Sequence, residues 1–300
     1  VMHDDELAVE TARVRRLVDS QFPAWRDRPL RALPLAGTVN AVFRLGDDLA
    51  IRCPLRPDDA DTVLATMQRE AGAARAFATA AALPTPELVA IGAPGHGYPL
   101  PWTVHTWVAG DVGTPSGAAD STALATDLAL LVRRLRRVDT GGRSFAGTGR
   151  GGHLPDHDDW VAECLAQSGA LLPVERLRDL WQRLRSLPEP DQHVMNHSDL
   201  IPANVLLRGD RLSGVLDAGG FAPADPALDL VAGWHLLDTD ARAVFRAAIG
   251  SDDVEWLRGA AWALEQALGL VWYYRSTNPV MHALGRSTIA RLLTAPEVEA

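Results

Sequence analysis

The 300-residue chain is 47% apolar and 22% charged, an ordinary soluble composition that allows one large domain or two small ones with a sizeable buried core. Its net charge of −9 argues against nucleic acid as a partner, because phosphate backbones need a basic footprint. All 29 basic residues are arginine, so every role that needs a fixed cation falls to a planar guanidinium.

Residues 4–20 predict an amphipathic helix, with Leu7, Val14, Leu17 and Val18 at helical spacing. LRALPLAGTVNAVFRLGDDLAIRCPL reads as strands, with Gly46-Asp47-Asp48 as a tight turn. Residues 58–82 predict a long helix that begins at an Asp pair and stops before Pro84. PELVAIGAP and YPLPWTVHTWVAG predict two further strands. The character changes from about residue 115. STALATDLALLVRRLRRVD is a strong helix, TGGRSFAGTGRGGHLP a glycine-rich loop, and DDWVAECLAQSGALL and VERLRDLWQRLRSL two more helices. A short hairpin, VLL-RGD-RLSGVLD, follows, and the chain reads as helical beyond residue 225.

No run of roughly 18 apolar residues occurs and the acidic start lacks the apolar stretch of a signal peptide, so no membrane association is expected. Cys53 and Cys164 sit in apolar contexts and predict buried free thiols in a reducing, cytoplasmic setting.

The chain has four asparagines, and two of them lie in NHSDLIPAN, residues 196–204. Within it, His197-Ser198-Asp199-Leu200-Ile201-Pro202-Ala203-Asn204 fits the H-x-D-L-x-x-x-N catalytic-loop pattern of protein kinases. Phosphoryl transfer needs a carboxylate to orient the attacking hydroxyl and accept its proton, which is the role expected of Asp199. It also needs hard oxygen ligands for Mg²⁺ on the nucleotide phosphates, expected from Asn204 and Asp217. The hairpin between them returns the chain to the same place. His197 is read as a structural brace. A capped turn is the bland alternative for Asp199 and Asn204 alone.

After the hairpin come Asp217-Ala218-Gly219-Gly220 and Asp225-Pro226-Ala227-Leu228-Asp229-Leu230. This succession resembles the aminoglycoside phosphotransferase family of small-molecule kinases, in which a His-x-Asp-x-x-x-x-Asn loop is followed by Asp-x-Gly and Asp-Pro-Ala-x-Asp-Leu. The resemblance implies an α+β, bilobal protein-kinase-like fold. The N-lobe, a small antiparallel sheet with a long helix, would span 1–106. The larger, mostly helical C-lobe would span 107–300. It further implies ATP or GTP, Mg²⁺, a small hydroxylated acceptor, and a monomer or weak dimer. Asp225 and Asp229 are expected to brace the catalytic loop.

For the nucleotide, the loop with Gly37, Thr38 and Asn40 is the candidate phosphate cover, and Arg52 the basic residue on the following strand, where the family pattern commonly has lysine. Glu70 falls on the stripe of Val63, Met67, Ala74, Phe77 and Ala81, and a carboxylate there calls for a cation, so Arg52 is its expected partner; the alternative is that Glu70 sits at the stripe's edge and reaches solvent. By order alone, adenine would meet backbone groups from His105 and Thr106 to Val108. Acceptor candidates are Asp156, Asp158 and Asp159, Trp234, His235, Glu265, Trp272, Tyr273 and Tyr274, with acids for ammonium groups and aromatics for sugar faces. Trp262 and Leu264 read as helix core. The expected function is phosphorylation of a hydroxyl on a small molecule, an antibiotic by preference. A metabolite kinase, a non-catalytic nucleotide- or drug-binding protein and a Mg²⁺-dependent phosphohydrolase stay open.

Overall fold

The computed structural model describes residues 7–33 and 39–299. By internal contacts the chain divides into two compact units: Val1–Ala78, Pro84–Ala109 and Asp217–Gly219 in the first, Thr79–Leu83, Gly110–Leu216 and Gly220–Ala300 in the second.

In the first unit, α1 (Thr11–Gln21) starts at Thr11 and not at residue 4, because residues 7–10 are not helical, Glu10 is extended, and the Leu7 N–H donates to the Leu55 carbonyl at 2.7 Å. Strands β1 (Leu30–Ala32), β2 (Asn40–Leu45) and β3 (Leu49–Pro54) follow, then α2 (Ala60–Ala81), β4 (Leu88–Gly92) and β5 (Trp102–Thr106). They form one antiparallel sheet in the order β1-β2-β3-β5-β4. Side chains alternate along β3, so Leu49, Ile51 and Cys53 point into the core and Ala50, Arg52 and Pro54 to the other face. The core joins Val14, Leu17 and Val18 of α1 to Phe43, Ile51, Trp102 and Val104 of the sheet. Arg52 lies opposite Thr103, and Ala50 opposite His105, so Arg52 and His105 share the face away from that core.

The second unit has a three-stranded sheet and a two-stranded one. β6 (Asp111–Val112) pairs with β8 (Val205–Arg208), and β8 with β9 (Arg211–Val215). β7 (Val194–Asn196) pairs with β10 (Ala222–Ala224). The sequence does not announce β6, β7 or β10, which are too short to show alternation. The helices are α3 (Thr122–Leu135), α4 (Asp158–Gln167), α5 (Val174–Leu184), α6 (Val231–Leu236), α7 (Thr239–Ile249), α8 (Asp253–Tyr273), α9 (Pro279–Thr294) and α10 (Pro296–Glu299). Helix α8 is the centre, with α4, α5, α6 and α9 packed on it. It is apolar nearly all round, the signature of a buried helix. Arg258, Glu265 and Gln266 interrupt it and are buried as well, so each needs a partner.

Both cysteines are free and buried, and loss of hydration pushes each thiol up to about 12, which removes them as nucleophiles at neutral pH. Among the described residues no helix is long and apolar enough to cross a membrane.

Candidate active site

Strand β7 ends at Asn196, and the chain then turns through a loop fixed from below. The carboxylate of Asp229, 1% exposed, accepts the N–H groups of His197 at 2.8 Å and Ser198 at 2.9 Å. Burial pushes its pKa up, while His197 and these two N–H groups oppose the rise. His197 Nε2 donates to the Leu216 carbonyl at 2.9 Å, which leaves Nδ1 to accept the Asp199 N–H at 3.3 Å. Ser198 takes a φ of +76°. A non-glycine residue there costs about 1–3 kcal/mol, the kind of strain found where a loop is held for function. Asp225, expected to brace the same loop, is bonded instead to helix α8. It accepts Arg258 Nη2 at 2.5 Å, Arg258 Nε at 2.9 Å and Trp262 Nε1 at 2.8 Å, all inside the core.

So held, the loop places Asp199 among three donors. Asn204 Nδ2 donates to the Asp199 backbone carbonyl and to Oδ2, both at 2.9 Å. Oδ1 accepts Gln266 Nε2 at 2.7 Å and Arg150 Nη2 at 3.0 Å. Behind Gln266, His235 Nε2 meets Gln266 Oε1 at 3.0 Å, and His235 Nδ1 meets Thr288 Oγ1 at 2.8 Å. The amide oxygen can only accept, so Nε2 carries the proton and Nδ1 accepts from the threonine. Burial pushes the His235 pKa down to about 3, so it stays neutral. The row Thr288, His235, Gln266, Asp199 therefore runs one way, each group donating toward the carboxylate. Neither Arg150 nor Gln266 is marked in the sequence. They come from segments 49 and 67 residues away from Asp199, outside any local motif.

The Leu216 N–H donates to the Asn204 carbonyl at 2.8 Å, and Asp217 is the next residue in the chain. Asp217 takes a φ of +58°, a second strained non-glycine position. Within the first unit, Asn40, Arg52, Glu70, His105, Asp217 and Gly219 line a cleft of about 390 Å³. The expected Arg52–Glu70 ion pair is not formed. Arg52 Nη2 instead donates to Asp217 Oδ1 at 3.1 Å, and among the described residues Glu70 has no ion pair. Glu70 belongs to the exposed edge of α2, not to its buried stripe. Lost hydration around its carboxyl still pushes the pKa up; Arg52 opposes this and Asp217 adds to it. A Cβ on Gly219 would come within 3.0 Å of the Glu70 Cβ, so the glycine of Asp-Ala-Gly permits close passage beside α2. Burial and the Arg52 charge push the His105 pKa down to about 4. Gly37 and Thr38 lie outside the described residues. At the end of β5, the Thr106 Oγ1 accepts the Glu87 N–H and the Trp107 N–H donates to the Asp48 carbonyl. Among the described residues, the N–H and C=O of Val108 make no hydrogen bond.

The acceptor candidates separate on burial. Trp234 is 0% exposed, stacked under Arg242 and beside Trp256, so it is a core side chain with no surface to offer a ligand. His235 is equally buried and serves Gln266. Asp158 is tied to Trp181 Nε1 and to Arg185. Glu265, 4% exposed, holds His157 Nδ1 at 2.9 Å. Trp272 and Tyr273 remain reachable, Tyr273 at 37% exposure, with Trp160 packed beside Trp272.

The profile described as the phosphotransferase enzyme family, APH, matches residues 29–262, well over half of the chain. The chain belongs to that family. Among solved structures, a mutant of aminoglycoside 2'-phosphotransferase-IIIa in its GDP complex is similar at a TM-score of 0.72 and 19% identity, over 95% of this chain and 99% of that one. An APH(2'') enzyme with GDP and kanamycin matches at 0.64 and 18%, over 92% and 97%. Macrolide 2'-phosphotransferase MphH from Brachybacterium faecium, as apoenzyme, matches at 0.61 and 19%, over 93% and 97%. At these identities the likeness carries the fold, which is kinase-like, with an antiparallel-sheet N-terminal region and a mostly helical C-terminal part. No curated protein sequence matches the chain.

Proposed function

We propose that this member of the family transfers the γ-phosphoryl group of ATP or GTP to a hydroxyl of a small natural product, an antibiotic, and so confers resistance. The observation that carries the reading is the bracing of Asp199: buried Asp229 fixes the loop backbone, and Asn204 fixes the carboxylate from within the loop. A carboxylate so oriented serves as the group that positions the acceptor hydroxyl and takes its proton.

Asn204 and Asp217, the pair set by the sequence spacing, would hold Mg²⁺. Asn204 turns its Nδ2 to Asp199, which leaves Oδ1 as a hard oxygen, and among the described residues Asp217 has only Oδ1 engaged. Mg²⁺ is commonly held by one or two such side chains together with substrate phosphates. Bound there, the ion would neutralise phosphate charge. Arg52 would grip the α- and β-phosphates with Asn40 beside it. The backbone near Val108 would receive the purine edge, with His105 and Thr106 shaping the wall.

The acceptor reading shifts with burial. Asp158 and Glu265 are spent on internal partners, which weakens the case for a polycation. Trp272 and Tyr273, with Trp160, favour an acceptor that offers an apolar or sugar face. The test is to incubate the protein with ATP or GTP, Mg²⁺ and a panel of aminoglycosides, macrolides and other hydroxylated antibiotics, and to look for a mass gain of one phosphate. Acceptor-independent phosphate release would make it a hydrolase. Nucleotide binding without turnover on any acceptor would make it a binding protein.

A further inference from the structure

Arg150 lies in the glycine-rich connection between α3 and α4, and that connection is pinned on both sides of it. On one side His157, whose Nδ1 is held by buried Glu265, donates to the backbone carbonyl of Gly149. On the other, the Asp225 N–H donates to the Gly151 carbonyl at 2.8 Å. Gly151 has a φ of +107°, and a Cβ there would stand 2.7 Å from the Ala224 Cβ and 2.8 Å from Leu228 Cδ2. Only glycine fits, so the loop cannot slide past this point.

The pinned loop delivers the guanidinium to Asp199 Oδ1 at 3.0 Å, while Arg150 Nε is buried with no hydrogen-bond partner among the described residues. The side chains are 29% and 33% exposed. A pair that open to water is worth about 0–1 kcal/mol, too little for stability to be what the construction achieves. The catalytic loop itself carries no cation between Asp199 and Asn204, only Leu200, Ile201, Pro202 and Ala203.

We propose that Arg150 is a catalytic residue that stabilises the phosphoryl group in transit; this rests on the phosphotransferase reading. In the step, the acceptor oxygen forms a bond to the γ-phosphorus as the bond from that phosphorus to the β–γ bridging oxygen breaks. The electron pair of the broken bond leaves with the nucleoside diphosphate, and the hydroxyl proton passes to Asp199. An oxygen hydrogen-bonded to Asp199 is the immediate neighbour of the guanidinium on the same carboxylate. Charge spread over the equatorial phosphoryl oxygens then meets a fixed fork of donors that the catalytic loop does not provide.

The test uses Arg150→Ala and Arg150→Lys, with thermal melts to confirm folding. Calorimetry measures binding of Mg²⁺-ADP and Mg²⁺-GDP alone and with aluminium fluoride, which mimics the phosphoryl group in flight. The wild type should bind more tightly with fluoride. Arg150→Ala should lose at least about tenfold of that gain while diphosphate affinity alone is unchanged, and Arg150→Lys should keep part of it. Triphosphate turnover, to water or to an acceptor, should fall by about 10³-fold in Arg150→Ala, the lower end of what such an arginine contributes. An alanine variant that keeps the wild-type fluoride gain or turnover overturns the proposal, as does a wild type that binds diphosphate without any fluoride gain. A wild type that binds no nucleotide strikes the phosphotransferase reading instead.

Discussion

Arg52 is bonded to Asp217, and not to the helix carboxylate Glu70 that its place in the sheet suggests, with Nη2 and Oδ1 3.1 Å apart. Both members keep solvent access, at 33% and 50% of the side chain, so the pair adds at most about 1 kcal/mol to stability. Its consequence belongs to nucleotide binding. Arg52→Ala and Asp217→Ala should each weaken Mg²⁺-nucleotide binding with melting temperature nearly unchanged. The double variant should be less impaired than the sum of the two, because each single change leaves one charge in the cleft without its partner. Arg52→Ala combined with Glu70→Ala should come closer to additive. Calorimetric double-mutant cycles decide it, and strong coupling of Arg52 to Glu70 with none to Asp217 would reverse the assignment.

The difference shows what periodicity can and cannot say. The stripe through Val63, Met67, Ala74, Phe77 and Ala81 identifies the inner side of α2, but not how far its edge lies from water, and Glu70 sits at that edge. Strands β2 to β5 were legible because alternation along them is a local signal, as was the Asp199, Asn204 and Asp217 spacing, which one loop and one hairpin create. Trp234 and His235 stay ambiguous in the sequence because an aromatic or a histidine on a helix looks the same whether it lines a pocket or fills a core. Arg150 and Gln266 reach Asp199 from distant segments, and Gln266 lies in a helix that reads only as apolar. The depth of α8 in the second unit is what turns its few polar residues into meaningful ones.

Asp199→Ala should lower kcat by about 10²–10⁴-fold, the range for losing a general base, with nucleotide affinity unchanged. Gln266→Leu removes one neutral donor to that carboxylate, an interaction of about 1.5–3 kcal/mol, so kcat should fall roughly ten- to a hundredfold. Gln266 serves orientation, so kcat should carry the loss while the nucleotide KM stays within about twofold. A Gln266→Leu enzyme with wild-type kcat would show that the Thr288, His235, Gln266 row does nothing for the base.

The Asp225–Arg258 pair is the opposite case to Arg52–Asp217. Its side chains are 1% and 3% exposed, and Trp262 Nε1 and the Ala227 N–H complete the carboxylate's partners. Asp225→Ala leaves a guanidinium buried without its charge, which costs about 3–5 kcal/mol. Urea unfolding should show a large fall in midpoint, with activity in the surviving folded fraction also reduced because the Gly151 anchor loosens. A shift under about 1 kcal/mol would mean that Arg258 finds water or another acceptor, for which the core offers the Leu187 and Pro188 carbonyls.

His235 also governs how stability depends on acid. Its folded pKa is pushed down to about 3 by burial, with the charges of Arg150 and Arg291 adding to the shift and the neutral Gln266 opposing it. In the unfolded chain the same imidazole titrates near its ordinary value of about 6.5. Between those values the unfolded chain holds a proton that the folded chain does not, so the stability tied to neutral His235 is complete above about 6.5 and is lost as pH falls toward 3. His157 works in the other direction. Its hydrogen bond to Glu265 raises its pKa, so its contribution is full below about 6.5 and is lost as pH rises through the folded value. Replacing one histidine at a time separates them. Urea midpoints between pH 4 and 6.5 should fall more gently for His235→Gln than for wild type, whereas His157→Gln should cost most at the acid end and least above neutrality. Should His235→Gln retain the full wild-type slope, the imidazole is not neutral in the fold, and the one-way row of donors onto Asp199 would have to be redrawn.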